Sequence, residues 1–560
     1  MPATTSTRSF SDVPDAWPSR WPYWALALIA GLVLLCSGCA ALPTPTPQPA
    51  TTAIADFEPT RLARMTERVL PGDDRSGFRL LPFGPSAFAT RIELTRLANR
   101  TLDVQYYLLQ ADNTGLALMR ALRDAAARGV RVRLLVDDLY TAGEDELLLA
   151  LASFPNVEVR LFNPFPAGRG SQLGRYMASG FDFRRINRRM HNKLFVADNA
   201  VAVAGGRNMA DEYVMNADGS NFVDMDVFAA GPVVRDFSRA FDTFWNSEVV
   251  YPVQAIASSG LARGELQARF EAATARARPP EATEVAPGDK LPGIDGDMAQ
   301  DIAEALNTRL LPMFNLPFEL QRARLGPLLW AKARVVADPL TKTAGRNQAL
   351  DSLDETVAGE VVYWLTGALD HIKMVSPYFV PSRGAVASIG ALRARGVGVE
   401  LVTNSLASTD EPWVYIGYWA HMRDLLDMGV EIRELSPTLS AKRKRYGITG
   451  RRTGALHMKN AIRDHREVFL GSLNLDQRSA KINTELGVII DSPEMAAQLE
   501  SFADVGSAYS LRLKPANGGV EWVEKEDDGR ETVYDIPPET TAWQRFKLRV
   551  MGPFIPESEL

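Results

Sequence analysis

Two stretches of this chain, HNKLFVADNAVAVAGGRN (residues 191–208) and HMKNAIRDHREVFLGSLN (residues 457–474), carry the same side chains at the same spacing. Counting from His191 and His457, Lys stands at +2 (Lys193, Lys459), Asp at +7 (Asp198, Asp464), Gly at +14 (Gly205, Gly471) and Asn at +17 (Asn208, Asn474). Five identities at five equal offsets, in a chain with only five histidines, identify a duplication. A duplicated chain folds as copies of one unit, so any fold assigned to it must occur twice.

The flanking elements repeat in the same order. Thr101–Leu109 (TLDVQYYLL) has the pattern of a strand, Leu116–Arg128 of an amphipathic helix, Val130–Asp137 (VRVRLLVD) of a buried strand and Glu144–Phe154 of a helix. Later, strand-like His371–Phe379, helical Ala385–Arg395, strand-like Val397–Thr403 and helical Val414–Met428 follow one another likewise. Arg128-Gly129-Val130 and Arg395-Gly396-Val397 end the two first helices alike, with Gly as the C-terminal stop. Strand–helix–strand order predicts an α/β protein with a largely parallel sheet covered by helices. Gly264–Arg346, broken by Pro279-Pro280, Pro287-Gly288 and Pro292-Gly293, is expected as a flexible connector followed by helix. The tail from about Leu511 is expected as short strands around Asn517-Gly518 and Asp528-Gly529.

Each motif copy resembles two strands joined by a turn at its Asp, and residues two apart on a strand share a face, so His and Lys should point together. An imidazole beside an ammonium is a poor core pair but a good receptor for an anion. The pairing suits displacement at phosphorus: one imidazole attacks, Lys and Asn donate hydrogen bonds to the non-bridging oxygens, and a second imidazole protonates the leaving alkoxide. Neither copy holds both histidines, so the two halves are expected to meet with His191 and His457 on opposite sides of one phosphorus. After each copy comes a carboxylate able to orient an imidazole, Asp224 in FVDMDVFAAG and Glu485 in NTELGVIID; the alternative is that both are exposed strand ends. Asp198 and Asp464 also suit turns that need not touch substrate.

HxKxxxxD followed by Gly-Gly or Gly-Ser and Asn resembles the signature of the phospholipase D superfamily. The resemblance implies two tandem phospholipase D-like domains, each a mixed β-sheet sandwiched by helices and related by pseudo-two-fold symmetry. It implies metal-free catalysis without a cofactor and a phosphohistidine intermediate. On the matching positions it puts His191, Lys193, Asp198, His457, Lys459 and Asp464 in catalysis, and Asn208, Asn474, Gly206 and Ser472 on the substrate phosphate. In relatives the N-terminal histidine is commonly the nucleophile; the residues themselves leave the order open. VQYYLLQADNTG, RINRRMHNK, VVADPLTK, SPYFVPS and YIGYWAHMRDLLDMGVEIREL are similar to the cardiolipin synthase C branch of the superfamily. That branch implies phosphatidyl transfer between phospholipids, phosphatidylglycerol or phosphatidylethanolamine, to form cardiolipin at a membrane surface. A lipid hydrolase, an exported nuclease and a catalytically dead scaffold are the competing readings.

The expected organisation is a signal peptide or anchor over 1–38, a Pro/Thr-rich tether over 39–55, a first domain over 56–253, a connector over 254–350, a second domain over 351–510 and an extension over 511–560. The apolar run Tyr23–Leu35 is shorter than the roughly 20 residues a spanning helix needs. Leu35-Cys36-Ser37-Gly38-Cys39 resembles a bacterial lipobox, which makes Cys39 the expected lipidation site and places an exported, envelope-attached body in the periplasm. Cys36 and Cys39 are the only cysteines, which leaves the body without a disulfide or thiolate metal site, and no HExxH or CxxC occurs. A formal charge of −6 argues against nucleic acid as partner. Basic runs precede both motifs, Arg184, Arg185, Arg188 and Arg189 before His191, and Lys442, Arg443, Lys444, Arg445, Arg451 and Arg452 before His457; they read as headgroup-steering patches or as solvated loops.

Overall fold

The computed structural model describes residues 42–44, 49–54, 60–179, 182–277, 328–343, 353–438, 453–503, 508–514, 518–526 and 529–551. The lipobox with Cys39, the Lys442–Arg452 run, the three Pro-bearing dipeptides of the connector, and turn residues Asn517 and Asp528 lie outside them.

The first half contributes β1 (Ser76–Leu81), β2 (Thr101–Tyr106), β3 (Arg131–Asp137), β4 (Val157–Phe162), β5 (Leu194–Ala197), β6 (Val201–Gly205), β7 (Ser220–Val223), β8 (Asp226–Ala230) and β9 (Val250–Pro252). The second contributes β10 (Leu329–Ala337), β11 (His371–Val375), β12 (Gly398–Asn404), β13 (Glu431–Leu435), β14 (Thr453–Leu456), β15 (Asn460–Arg463), β16 (Glu467–Gly471), β17 (Leu486–Asp491), β18 (Ala508–Leu513), β19 (Val520–Lys525) and β20 (Glu531–Tyr534). Pairing runs β9-β4-β3-β2-β5-β6-β8-β1 in the first half. It continues through the antiparallel β1–β10 pair into β10-β17-β16-β15-β11-β12-β13-β18-β19-β20. Read outward from β1 and β10, the two arms have the same order and the same alternation, with β2-β3-β4 and β11-β12-β13 parallel and their flanks antiparallel. This is the duplicated α/β architecture expected, with the pseudo-two-fold between β1 and β10, but the largely parallel sheet is corrected to a mixed and mostly antiparallel one, because only the crossover-linked strands β2-β3-β4 and β11-β12-β13 run parallel while hairpins and the β1–β10 seam pair antiparallel.

The parallel strands are joined by helices, as crossovers require. Helix Asn113–Ala127 starts at Asp112, whose side chain accepts from the Gly115 amide, and stops at Gly129 with φ +95°. Helix Arg383–Ala394 starts at Ser382 in the same manner and stops at Gly396 with φ +87°. Both Gly stops are therefore left-handed turns that a side chain would strain. One hydrophobic core draws on both halves, bringing Leu80, Leu194 and Val227 together with Met458, Leu470 and Val488. At about 1.5–3 kcal/mol for each large side chain fully buried, separating the halves would be strongly unfavourable.

The stretch expected as a connector is partly built into this framework. Helix Arg263–Thr274 buries Phe270 in the first half's core, and β10 carries the register from β1 to β17. The C-terminal strands extend the sheet beyond β13, with β18 beginning three residues before the expected boundary at 511. Tyr415 and Tyr418 are buried, as a core role requires, whereas Trp419 is 38% exposed and stacks on Trp522.

Candidate active site

Each motif forms a β-hairpin. In β5–β6 the turn residues Asp198 and Asn199 have φ of +53° and +49°, and in β15–β16 Asp464 and His465 both have +53°. Positive φ at two adjacent positions is the tight hairpin turn whose twist matches the flanking strands, and Asp and Asn tolerate it. The Asp198 carboxylate accepts from the amides of Asn99, Arg100 and Thr101 at 2.7–3.2 Å. Asp464 accepts from those of Leu369, Asp370 and His371 at 2.8–3.1 Å. Five residue steps of extended chain lead from Lys193 to Asp198, about 16 Å. The catalytic expectation for Asp198 and Asp464 is thereby corrected: their oxygens tie the far end of each hairpin to the start of the neighbouring strand.

The histidines lie at the other end, 6% and 5% exposed. The His191 amide donates to the Thr484 carbonyl, and the His457 amide to the Val223 carbonyl, each 2.8–2.9 Å and each reaching into the opposite half. Parallel pairing of β7 with β14 fixes the second of these contacts. As a result the orienting carboxylates are exchanged. Glu485, which follows the second motif, lies 3.0 Å from His191 Nδ1, and Asp224, which follows the first, lies 2.6 Å from His457 Nδ1. Both carboxylates are fully buried, so the reading of exposed strand ends does not hold. The Ser472 carbonyl is 3.1 Å from His191 Nδ1 as well. Since both neighbours of that nitrogen only accept, it must carry the proton, which leaves the lone pair on Nε2.

Lys193 donates to the His191 carbonyl at 2.6 Å, and Lys459 Nζ lies 3.0 Å from His457 Nδ1. The pairs do converge, although each His stands just before its strand rather than within it. Burial pushes His191 down to about 4 against the attraction of Glu485. Burial likewise holds His457 well below its ordinary value, with Lys459, Lys193 and His191 adding to the effect and Asp410 opposing it. Burial lowers Lys459 to about 8, partly offset by Asp224, and takes Lys193 well below its usual range. His191, Lys193, His457 and Lys459 thus share one electrostatic environment, desolvated and poised for an anion.

The expected phosphate-binding set divides. Asn474 Oδ1 is buried without a hydrogen-bond partner, whereas Asn208 donates to the Tyr213 hydroxyl at 2.9 Å. Gly206 and Ser472 are corrected to a supporting role. The Gly206 amide donates to Met225, and a Cβ there would stand 2.2 Å from Asp224 Oδ1, so glycine makes room for the carboxylate. Ser472 Oγ donates to Glu485 and accepts from the Leu486 amide. The run before His191 is partly bonded within the protein: Arg189 is buried and bonds Asn163, half-buried Arg185 pairs with Asp182 and half-buried Arg188 donates to the Lys342 carbonyl, while Arg184 is exposed.

Three further contributors have no role assigned from the sequence, although Tyr107 and Asp338 lie in the VQYYLLQADNTG and VVADPLTK stretches. Tyr213 packs edge-on against His457 with its hydroxyl 3.5 Å from Nε2, and Tyr107 packs edge-on against His191. Asp338, in the VVADPLTK stretch, accepts from the Glu485 amide and is itself held by Lys342 at 2.7 Å. Among the described residues, no cluster of His, Cys, Asp or Glu is arranged to hold a metal.

Comparison with known proteins places this geometry. Residues 92–245 and 362–504 match the family described as "Cardiolipin synthase, PLD-like domain". The chain is 37% identical over 473 residues to cardiolipin synthase C of Escherichia coli (strain K12), covering 83% of this chain and 92% of that protein. It is 23% identical over 453 residues to cardiolipin synthase A of Pseudomonas syringae pv. syringae (strain B728a), covering 80% and 72%. The crystal structure of phosphatidylserine synthase from Haemophilus influenzae Rd KW20 superposes with a TM-score of 0.51 at 13% identity, covering 88% of this chain and 97% of that one, a likeness of fold. The chain belongs to the phospholipase D superfamily, in its cardiolipin synthase-like family.

Proposed function

We propose that this protein transfers a phosphatidyl group from one phospholipid to a hydroxyl of another, forming cardiolipin. His191 Nε2 attacks the donor phosphorus, and the bond from phosphorus to the headgroup oxygen breaks as His457 protonates the leaving alkoxide. The acceptor hydroxyl then gives its proton back to His457 and attacks the same phosphorus, breaking the bond to His191 and restoring both imidazoles. The observation that carries this assignment is the Nδ1 environment of His191, whose two acceptors reserve Nε2 as a nucleophile. At His457, a bound phosphodiester anion favours the imidazolium that burial disfavours. Lys193, Lys459, Asn208 and Asn474 are assigned to the non-bridging oxygens.

Phosphatidylglycerol is the acceptor in this reading, because its glycerol headgroup supplies the hydroxyl, and either phosphatidylglycerol or phosphatidylethanolamine is the donor. The name of the Escherichia coli relative supports cardiolipin as the product. Lipidation at Cys39 and a periplasmic body at the envelope complete the proposal; among the described residues no helix is long and apolar enough to cross a membrane. The test incubates the purified protein with labelled phosphatidylglycerol, alone and with phosphatidylethanolamine, and resolves the products. Cardiolipin is expected; phosphatidic acid alone would make the protein a hydrolase, and no lipid product would remove the reading.

A further inference from the structure

The short helix Gln172–Ala178 of the first half is turned inside out. Its inner face carries Arg175, fully buried, whose guanidinium donates to the Asp138 carbonyl and, at 3.0 Å, to the Thr141 hydroxyl. Gln172 adds a 2.6 Å bond to the Leu139 carbonyl. Its outer face carries Leu173, Tyr176 and Met177, at the spacing of neighbours on one helical face, with Leu173 73% and Met177 64% exposed. Phe183, which opens the separate short helix Phe183–Ile186, is 52% exposed beside exposed Arg184. A helix in water places its cation outward and its leucine inward. Here internal hydrogen bonds lock the reverse arrangement, so the apolar face is not a consequence of loose packing.

This face adjoins the active site. The segment held by Arg175 and Gln172 includes Tyr140, which is 44% exposed on one side and meets the Tyr107 ring edge-on at 5.2 Å on the other. Tyr107 meets the His191 ring at 4.8 Å. Two ring contacts therefore lead from the apolar face to the attacking imidazole. A phospholipid carries its acyl chains on the side of the phosphate away from the headgroup, so a phosphatidyl group held at His191 needs an apolar region close by for its diacylglycerol part.

We propose that Leu173, Tyr176, Met177 and Phe183 form a docking surface for the acyl-chain boundary of a phospholipid bilayer, seating the mouth of the site on the membrane that holds its substrate. The proposal rests on the phosphatidyl-transfer reading for the identity of the partner. Arg184 at its edge suits anionic headgroups, and an aromatic and aliphatic face beside a cation is the composition of interfacial segments.

The test uses the full chain reconstituted in vesicles of phosphatidylglycerol and phosphatidylcholine. It compares the wild type, the double variant Leu173→Glu/Met177→Glu, and Leu369→Asp as a control. Leu369 is 87% exposed but precedes β11, at the Asp464 end of the sheet and away from the histidines. Amide hydrogen exchange over residues 172–179 should slow on vesicles in the wild type and the control, and not in the double variant. Turnover of vesicle lipid should fall about tenfold or more in the double variant, while turnover of monomeric dihexanoyl phosphatidylglycerol stays within about twofold. Equal vesicle turnover and unchanged exchange in all three proteins would overturn the docking surface and leave the activity standing. Vesicle-dependent protection in a wild type that consumes no phospholipid would instead overturn the activity and leave the surface standing. A parallel loss on monomeric lipid would mean that the variant had damaged the site, and the milder Met177→Ser then decides on the same two readouts.

Discussion

Glu485 lies 294 residues after His191 in sequence and 3.0 Å from its Nδ1 in the fold. Asp224, 233 residues before His457, lies 2.6 Å from the Nδ1 of that ring. Each half therefore supplies the histidine of one pair and the carboxylate of the other, so a half on its own would hold an imidazole with nothing to orient it.

The exchange makes a specific prediction for Glu485→Gln. The amide keeps the shape but removes the charge that fixes the Nδ1–H tautomer, so kcat should fall by about a hundredfold or more with KM little changed. Because Glu485 orients the attacking imidazole, the yield of covalent intermediate in a rapid quench should fall with it. Asp224→Asn should lower turnover similarly through the proton-transfer steps at His457. Activity within about twofold of wild type in either variant would show that the exchanged pairs are incidental.

Gly206→Ala should be damaging although the Gly206 amide is engaged by the Met225 carbonyl rather than by substrate. The added Cβ stands 2.2 Å from Asp224 Oδ1 and must displace that carboxylate from His457. A displacement near 1 Å at a proton-transfer pair can cost roughly a hundredfold in rate. Steady-state kinetics alongside a melting curve would check this; a lowered melting temperature with normal kcat would contradict it.

Asp198→Asn should act the other way, on stability rather than chemistry. It weakens bonds to three backbone amides remote from the histidines, a loss of roughly 1–3 kcal/mol that should appear as a lower melting temperature. Below that temperature kcat should be unchanged. A catalytic Asp198 would give the reverse pattern, normal melting and lost turnover.

Much of this was legible beforehand, for particular reasons. The repeat offsets are local, and so are the strand and helix periods and the Gly129 and Gly396 stops, each set by a few neighbouring residues. Asp224 and Glu485 were found as carboxylates following each motif, yet their exchange depends on β7 lying beside β14, a contact no local pattern encodes. The family resemblance singles out positions 206 and 472 but not what they touch; in the fold both serve the carboxylates. The run Arg184–Arg189 read as one basic patch because sequence does not distinguish a surface cation from one bonded inside, as Arg189 is. Tyr213 and Asp338 act through contacts with distant residues that the fold alone creates, Tyr213 with His457 and Asp338 with Glu485, which no local pattern marks.

The site also sets a pH dependence. Folding holds His191 neutral down to about pH 4, whereas the unfolded chain takes up a proton there near 6.5. Between those values the unfolded state binds the additional proton, so this group's contribution to stability is complete above about 6.5 and is lost as pH falls towards 4. His191→Gln removes the effect. The wild type should therefore lose roughly 2–3 kcal/mol more than the variant between pH 7 and 4.5, measured by denaturant unfolding. Equal losses would show that His191 is not held neutral.

The most direct test of a single site built from two halves is to quench the wild type during turnover of short-chain phosphatidylglycerol and map the phosphatidyl adduct by mass spectrometry. The adduct should be acid-labile, lie on His191 and be absent from His457, and neither His191→Ala nor His457→Ala should form product. An adduct on His457 would exchange the roles of the two histidines, whereas product from either single variant at a rate near wild type would mean that the two imidazoles do not work on one phosphorus.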